Sequence, residues 1–162
     1  MSALAIGLLK KGCSVSGSDL VKNDETNKLK KLGAVIFNSQ VQQNIKFIIS
    51  KFTNKLTYFV VSSAIKPENE EFSYCRENNL SIKHRSEILA MLMGNYTALA
   101  VAGSHGKTST STFLSTILEL CTHNSSSITG GIIPIYNSNC YLENTKYLVA
   151  EVDESDGTIN KY

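Results

Sequence analysis

Residues 98–109 are Ala98-Leu99-Ala100-Val101-Ala102-Gly103-Ser104-His105-Gly106-Lys107-Thr108-Ser109, and they are the most informative segment for predicting the architecture. Its first five residues are small or apolar and predict a buried strand over residues 98–102. A helix is predicted over residues 108–121, with a set of apolar residues on one side: Phe113, Leu114, Ile117, Leu118 and Cys121. A strand that runs into a glycine-rich loop and then into a helix is the context that a phosphate-binding loop requires.

Each residue type in this loop has a physical role in phosphate binding. Glycines let backbone N–H groups converge on phosphate oxygens, and the helix N-terminus adds partial positive charge. Lys107 supplies a point charge, and the Thr108 hydroxyl is a ligand for Mg²⁺. We therefore predict an ATP-binding loop formed by Gly103, Ser104, His105, Gly106, Lys107, Thr108 and Ser109.

The loop departs from the usual pattern at one position. That pattern places its first glycine five residues before the second, where this chain has Val101, so the match is to a shorter Gly-x-x-Gly-Lys-Thr form. The alternative interpretation is a glycine-capped turn followed by an accidental Lys-Thr pair. His105 lies inside the loop and is predicted to be near the substrate, whereas His84 and His123 are predicted to be surface or capping residues.

An acidic run, Glu151-Val152-Asp153-Glu154-Ser155-Asp156, follows a core strand predicted over residues 146–151. Four carboxylates within six residues repel one another unless a cation is present. At the carboxyl edge of the sheet that carries the loop, Glu151 or Glu154 could reach a Mg²⁺ ion held by Thr108 and nucleotide phosphates. The alternative is a solvated acidic turn.

Strands and helices alternate along the rest of the chain, which predicts an α/β fold with parallel sheets in two successive units, 1–94 and 95–162, divided at Gly94-Asn95. Ser18 and Asp19 fall at the end of a strand predicted over residues 13–17, where open α/β sheets place ligands. Ser62, Ser63 and Ala64 follow a predicted buried strand over residues 56–62. The remaining predicted elements are helices over 1–12, 24–32, 68–78 and 86–93, strands over 34–37 and 81–83, and a turn at Gly130-Gly131.

Composition excludes several classes of function. The 162 residues carry a formal net charge of +2, with basic and acidic residues scattered, so no basic stripe predicts nucleic-acid binding. The four cysteines lie far apart and are predicted to be buried or incidental thiols in a reducing compartment. No apolar run reaches the roughly 18 residues of a membrane span, and no cleavable leader is apparent, so we expect a soluble, cytoplasmic protein without membrane insertion.

The loop at 100–110, the acidic segment at 149–156 and the Val60-Val61-Ser62-Ser63-Ala64-Ile65 stretch together resemble the Mur ligase family of peptidoglycan synthesis. The stretches Met1-Ser2-Ala3-Leu4-Ala5 and Val15-Ser16-Gly17-Ser18-Asp19 also match, so the resemblance covers essentially the whole chain. It implies a Rossmann-like, UDP-sugar-binding domain followed by the first part of a P-loop ATPase-type α/β domain. The family loop usually has Thr where Ser104 stands, a change that preserves the hydroxyl.

The resemblance implies an ADP-forming ligase that joins L-alanine to the carboxylate of UDP-N-acetylmuramate through an acyl phosphate. It assigns catalytic roles to Lys107 and His105, Mg²⁺ binding to Thr108 and Glu151, and UDP-sugar binding to Ser18, Asp19, Ser62, Ser63 and Ala64. ATP and Mg²⁺ are the implied cofactors, and no nucleic-acid partner is expected.

Two alternatives stay open. One is a related ligase that adds a peptide to the muramyl nucleotide or glutamate to folate, although Ser62-Ser63-Ala64-Ile65 and the intact acidic run favour the alanine-adding reaction. The other is a catalytically silent nucleotide-binding fragment. The resemblance predicts that a first strand and its glycine-rich turn would precede Met1, and that further ATPase strands and an alanine-binding domain would follow Tyr162.

Overall fold

A computed structural model describes residues 1–53, 55–122 and 124–153. Contacts divide the chain into two compact units, Met1–Arg85 and Ser86–Tyr162. The predicted α/β class is confirmed, and the predicted domains 1–94 and 95–162 stay a prediction. In the described part of the chain, no helix is both long enough and apolar enough to cross a membrane.

The first unit contains two small parallel sheets, each of two strands and each accompanied by helices. Its elements in chain order are α1 (Ser2–Lys10), β1 (Ser16–Ser18), α2 (Asp24–Lys31), β2 (Val35–Phe37), α3 (Gln42–Lys51), β3 (Phe59–Val61), α4 (Glu70–Glu77) and β4 (Ile82–His84). Strand β1 pairs with β2, and β3 pairs with β4. The carboxyl ends of both sheets therefore carry the serine-containing segments singled out in the sequence.

Side-chain caps explain where α2 and α4 begin. The Asn23 side chain accepts a hydrogen bond from the Thr26 N–H, and the Thr26 hydroxyl oxygen accepts one from the Asn23 N–H, which forms a capping box. Asn69 caps α4 by accepting from the Phe72 N–H at 3.1 Å. Helix α3 was not predicted, because its N-cap position is Val41, which makes no side-chain hydrogen bond and gives no start signal.

Two strand predictions in this unit need correction. The strand predicted over 13–17 forms instead over Ser16–Ser18, because pairing with β2 sets its register, Ser16 opposite Val35. The segment predicted as a buried strand over 56–62 forms only over Phe59–Val61, and it is half-buried. Its apolar residues pack on one neighbouring strand, β4, in a sheet of two.

The second unit is built around one four-stranded sheet. Its elements are α5 (Arg85–Met93, whose first residue closes the first unit), β5 (Thr97–Val101), α6 (Lys107–Thr122), β6 (Ser125–Ile133), a 3-10 helix (Pro134–Tyr136), β7 (Ser138–Tyr141) and β8 (Tyr147–Glu151). The strand order is β5-β8-β6-β7, with β5, β8 and β6 parallel and β7 antiparallel to β6. The predicted parallel sheet is confirmed for β5, β8 and β6, and β7 adds an antiparallel edge strand that forms a short hairpin with β6.

The position of each strand in this sheet determines how buried its residues are. Strand β8 lies between two neighbours, and its Leu148, Val149 and Ala150 are 0% exposed. Strand β5 was predicted to be buried, but it lies at the sheet edge, and its residues alternate between exposed and half-buried. The predicted strand and helix on either side of the loop are thus confirmed, while the predicted burial of β5 is wrong.

Helix α6 packs on the sheet through only part of its predicted apolar side. Phe113 and Ile117 of that side are 69% and 57% exposed, Leu114 and Leu118 are half-buried, and Ser111 and Ser115 are fully buried. The Ser115 hydroxyl bonds the Ser127 hydroxyl of β6 and donates to the Ser111 carbonyl at 2.7 Å. Because these hydroxyls are paired, they pack in the core without a large desolvation cost.

Candidate functional site

The loop between β5 and α6 has the backbone geometry that its glycines predict. Gly103 has φ +144° and Gly106 has φ +73°, conformations that side-chain-bearing residues rarely adopt. Helix α6 begins at Lys107, and the Thr110 N–H donates to the Gly106 carbonyl at 2.9 Å. The loop thus presents backbone N–H groups and the positive end of a 16-residue helix at one place.

The Lys107 ammonium group forms a hydrogen bond with the loop backbone. Its Nζ donates to the Gly103 carbonyl at 2.6 Å, and the side chain is half-buried. A charge-assisted hydrogen bond of this length restricts an otherwise flexible side chain. The ammonium group therefore lies beside the loop backbone.

Glu151 and Thr108 meet across the sheet and helix. Strand pairing places Glu151 opposite Val101, the last residue of β5 before the loop. The Thr108 hydroxyl donates to the Glu151 carboxylate, at 3.0 Å from Oε2 and 3.2 Å from Oε1. The two residues predicted as magnesium ligands are thus adjacent, although they are 43 positions apart in the chain.

Gly130 and Gly131 lie beside the candidate site, a position that the sequence did not predict. They lie inside β6, so the predicted turn is wrong. The Gly130 N–H donates to Glu151 Oε2 at 2.9 Å, and a Cβ atom on Gly131 would lie 2.7 Å from the Thr108 Cγ2 atom. Both glycines therefore lie close to side chains of the candidate site, Glu151 and Thr108.

An open cavity of about 350 Å³ lies over this arrangement, lined by Ser104, His105, Gly106, Lys107, Thr108, Ser109 and Glu151. Six of the seven predicted loop residues and the predicted acidic ligand thus line one cavity. Glu154, the other acidic candidate, lies outside the described residues.

The side-chain oxygen atoms in this cavity are suitable ligands for a magnesium ion. Mg²⁺ prefers oxygen ligands and takes one or two from the protein, with the rest from phosphates and water. A hydroxyl and a carboxylate, already within 3.0 Å of each other, meet that requirement. Groups of three or more His, Cys, Asp or Glu side chains that could hold a metal unaided are absent from residues 1–53, 55–122 and 124–153.

The UDP-sugar residues predicted in the first unit lie at strand ends, as expected, and have specific partners. The Ser18 hydroxyl donates to Glu71 Oε2 at 2.5 Å, and Asp19 Oδ1 accepts from the Val21 N–H at 2.9 Å. Beyond β3, the Ser63 hydroxyl hydrogen-bonds the His84 Nε2 atom at 3.1 Å. Ser62 and Ala64 flank Ser63 in the same loop. No pattern in the sequence indicated that Glu71 and His84 would be partners of these serines.

A model of the family described as "Mur ligase family, catalytic domain" matches residues 1–97. The chain is 70% identical over 162 residues to a UDP-N-acetylmuramate--L-alanine ligase of Prochlorococcus marinus subsp. pastoris, covering 100% of the chain and 34% of that protein. It is 40% identical over 161 residues to the protein of the same name from Dictyoglomus turgidum, covering 99% of the chain and 33% of that protein. The chain thus spans about a third of the length of these relatives.

Solved structures share the fold. The UDP-N-acetylmuramate-alanine ligase MurC from Thermotoga maritima aligns with a TM-score of 0.84 at 24% identity, over 100% of this chain and 36% of that one. A UDP-N-acetylmuramate:L-alanyl-gamma-D-glutamyl-meso-diaminopimelate ligase from Neisseria meningitides aligns with a TM-score of 0.85 at 22% identity, over 95% of this chain and 49% of that one. These likenesses support the α/β architecture described above.

Proposed function

Because the chain belongs to the Mur ligase family, we propose that it serves the ATP-dependent joining of L-alanine to UDP-N-acetylmuramate in peptidoglycan precursor synthesis. The observation that carries the proposal is the contact between the Thr108 hydroxyl and the Glu151 carboxylate in the loop cavity. The substrates are small molecules, and we place the reaction in the cytoplasm.

The proposed chemistry has two steps. A carboxylate oxygen of the muramyl group forms a bond to the γ-phosphorus of ATP, and the bond from that phosphorus to the β–γ bridging oxygen breaks, which releases ADP. The amine nitrogen of alanine then attacks the acyl carbon and loses a proton, and inorganic phosphate leaves. The protein's contribution is to position these groups and to stabilise the charge that develops on the phosphoryl oxygens.

The chain's own residues divide this work. Lys107, now 2.6 Å from the Gly103 carbonyl, would exchange that partner for β- and γ-phosphate oxygens. The backbone N–H groups of residues 103–109 would bind the remaining phosphate oxygens. Thr108 and Glu151 would hold Mg²⁺, which when bound neutralises phosphate charge and polarises the transferred group. His105 lines the same cavity and would contact the substrate side of the loop.

For the other substrate, we propose that Ser18, Asp19 and residues 62–64 contribute to binding the UDP-sugar in the first unit. Their support is their position at the carboxyl ends of β1 and β3, where open α/β sheets bind ligands. Hydroxyl, carboxylate and backbone groups at that edge provide both donors and acceptors for a nucleotide sugar.

A glutamate substitution tests the proposal directly. In Glu151→Gln, the amide oxygen still accepts from Thr108 or Gly130, so we expect the fold to persist while the charge that attracts Mg²⁺ is lost. Calorimetry should then show that ATP affinity no longer rises with Mg²⁺ concentration. Glu143→Gln is the matched control, because Glu143 is exposed and follows β7 rather than β8. Unchanged Mg²⁺ dependence in Glu151→Gln would refute the assignment.

A second candidate is that these 162 residues bind Mg²⁺ and ATP but form no amide bond by themselves. It is favoured by the aligned length, which is about a third of each curated relative. Phosphate release by the purified chain, measured with ATP and UDP-N-acetylmuramate in the presence and absence of L-alanine, separates the candidates. Alanine-dependent release would establish ligation, whereas ATP binding without it would establish the binding role.

A further inference from the structure

Strand β6 changes its hydrogen-bonding pattern where it passes the loop cavity. Its pairing with β8 runs from Ser125 to Ile128, and its pairing with β7 shifts register between Ile128 and Ile133. Between those points, Gly130 directs its N–H to the Glu151 side chain, 2.9 Å away. The buried Thr129 hydroxyl donates to the Gly131 carbonyl at 2.7 Å and stabilises this irregular segment. An irregularity of this kind re-aims backbone groups next to a site.

The same segment has no room for side chains. A Cβ atom on Gly130 would lie 3.0 Å from Glu151 Oε1, and one on Gly131 would lie 2.7 Å from Thr108 Cγ2. Ordinary carbon contacts begin near 3.4 Å, so the second position is the more restrictive. Neither glycine has a positive φ, so the restriction arises from the neighbouring side chains and not from the backbone conformation.

We propose that Gly130 and Gly131 are positioning residues of the magnesium site. Gly130 orients the Glu151 carboxylate through its N–H, and Gly131 leaves the space in which the Thr108 methyl group sits, so that the Thr108 hydroxyl points at that carboxylate. This inference rests on the proposed function, because it takes Thr108 and Glu151 as the magnesium ligands.

The mechanism of positioning is steric at Gly131. Thr108 is β-branched and lies in the first turn of α6, so its χ1 angle has few allowed values. A methyl group added at Gly131 would force χ1 to change, and this rotation would carry the hydroxyl away from Glu151. Loss of an outer-shell contact typically lowers metal affinity by about 10–100-fold.

The clash suggests a compensating pair of substitutions. Thr108→Ser deletes Cγ2, the atom that a Cβ on Gly131 would meet, and retains the hydroxyl. We expect Gly131→Ala to raise the Mg²⁺ concentration that half-saturates ATP binding by about 10–100-fold. The double variant Gly131→Ala/Thr108→Ser should then match Thr108→Ser to within about twofold, the range within which uncoupled substitutions add.

Calorimetric titration of ATP at a series of Mg²⁺ concentrations measures this, with circular dichroism to monitor folding. Gly94→Ala is the matched control, since its added Cβ would lie 3.7 Å from the nearest atoms, and it should bind like the wild type. Wild-type binding by Gly131→Ala would overturn the inference, as would a double variant that is as weak as Gly131→Ala. If Gly131→Ala does not fold, recovery of folding and Mg²⁺ dependence in the double variant supports the inference, and failure to recover overturns it.

The wild-type titration separates this inference from its premise. If ATP affinity of the wild type does not depend on Mg²⁺, the proposed function fails, and the positioning role fails with it. If the wild type depends on Mg²⁺ and Gly131→Ala depends on it equally, the positioning role alone is refuted.

Discussion

Replacing Lys107 with alanine should weaken ATP binding by an amount that can be estimated from the contacts of its ammonium group. At a protein surface, an ion pair at about 4 Å is worth about 4 kcal/mol. On binding phosphate, Lys107 gives up its hydrogen bond to the Gly103 carbonyl, 2.6 Å away. Hydrogen bonds to charged groups contribute about 1.5–3 kcal/mol, so the net loss is about 1–2.5 kcal/mol. That corresponds to an affinity about 5–70-fold lower.

The assay is calorimetric titration of ATP at fixed Mg²⁺ and ionic strength, with circular dichroism as the folding control. Lys146→Ala is the matched variant, because it removes the same charge from an exposed residue that precedes the other end of β8. It should bind ATP like the wild type. If both variants lose the same affinity, the effect is one of general charge, and if Lys107→Ala keeps full affinity, the loop is not the phosphate site.

Two further predictions concern stability and thiol reactivity. Leu148→Ala should lower the free energy of unfolding, measured in urea, by about 2–5 kcal/mol, because Leu148 is 0% exposed at the centre of the sheet. Leu120→Ala is the control, and it should change this free energy far less because Leu120 is 64% exposed. Iodoacetamide at pH 8 should modify the exposed Cys13 and Cys121 in the native protein. It should spare Cys75 and Cys140, because these two thiols are buried, and burial raises the pKa of the Cys75 thiol to about 11. Mass spectrometry counts the modified thiols, and rapid modification of Cys75 would contradict the burial.

The sequence predicted the parts of the site in which a motif specifies local backbone structure. The loop glycines, Lys107 and Thr108 are adjacent in the chain, so their geometry follows from the strand, the turn and the helix around them. Glu151 was also predicted, because a core strand ending in carboxylates places them at the same sheet edge as the loop. The proximity of Thr108 and Glu151 is thus a property of parallel topology.

The sequence did not predict β6, because serines and glycines interrupt its few strand-forming residues. It opens with three serines and has two glycines at its centre, residue types that favour turns when considered locally. Tertiary contacts override that preference, since Ser125, Ser126 and Ser127 are 0% exposed and pair with β8. Gly130 and Gly131 were interpreted as a turn for the same reason.

Hydrophobic periodicity could not decide which side of α6 faces the sheet, because the helix carries apolar residues on more than one side. The structure selects the side with Ser111 and Ser115, whose hydroxyls bond within the helix and across to Ser127.

The burial of Ser111 and Ser115 also affects the distance between Thr108 and Glu151 in the loop cavity. A buried hydroxyl pair contributes about 0.5–1.5 kcal/mol, whereas a buried leucine contributes about 1.5–3 kcal/mol, so serines at these positions do not maximise stability. Their small size lets α6 approach β6 closely, and that approach brings Thr108 within contact of Gly131. Larger aliphatic residues would stabilise the core but would hold the helix farther from the strand. The Thr108 hydroxyl would then lie farther from Glu151, so we expect the small serines, like the glycine pair, to contribute to the short distance between the two proposed magnesium ligands.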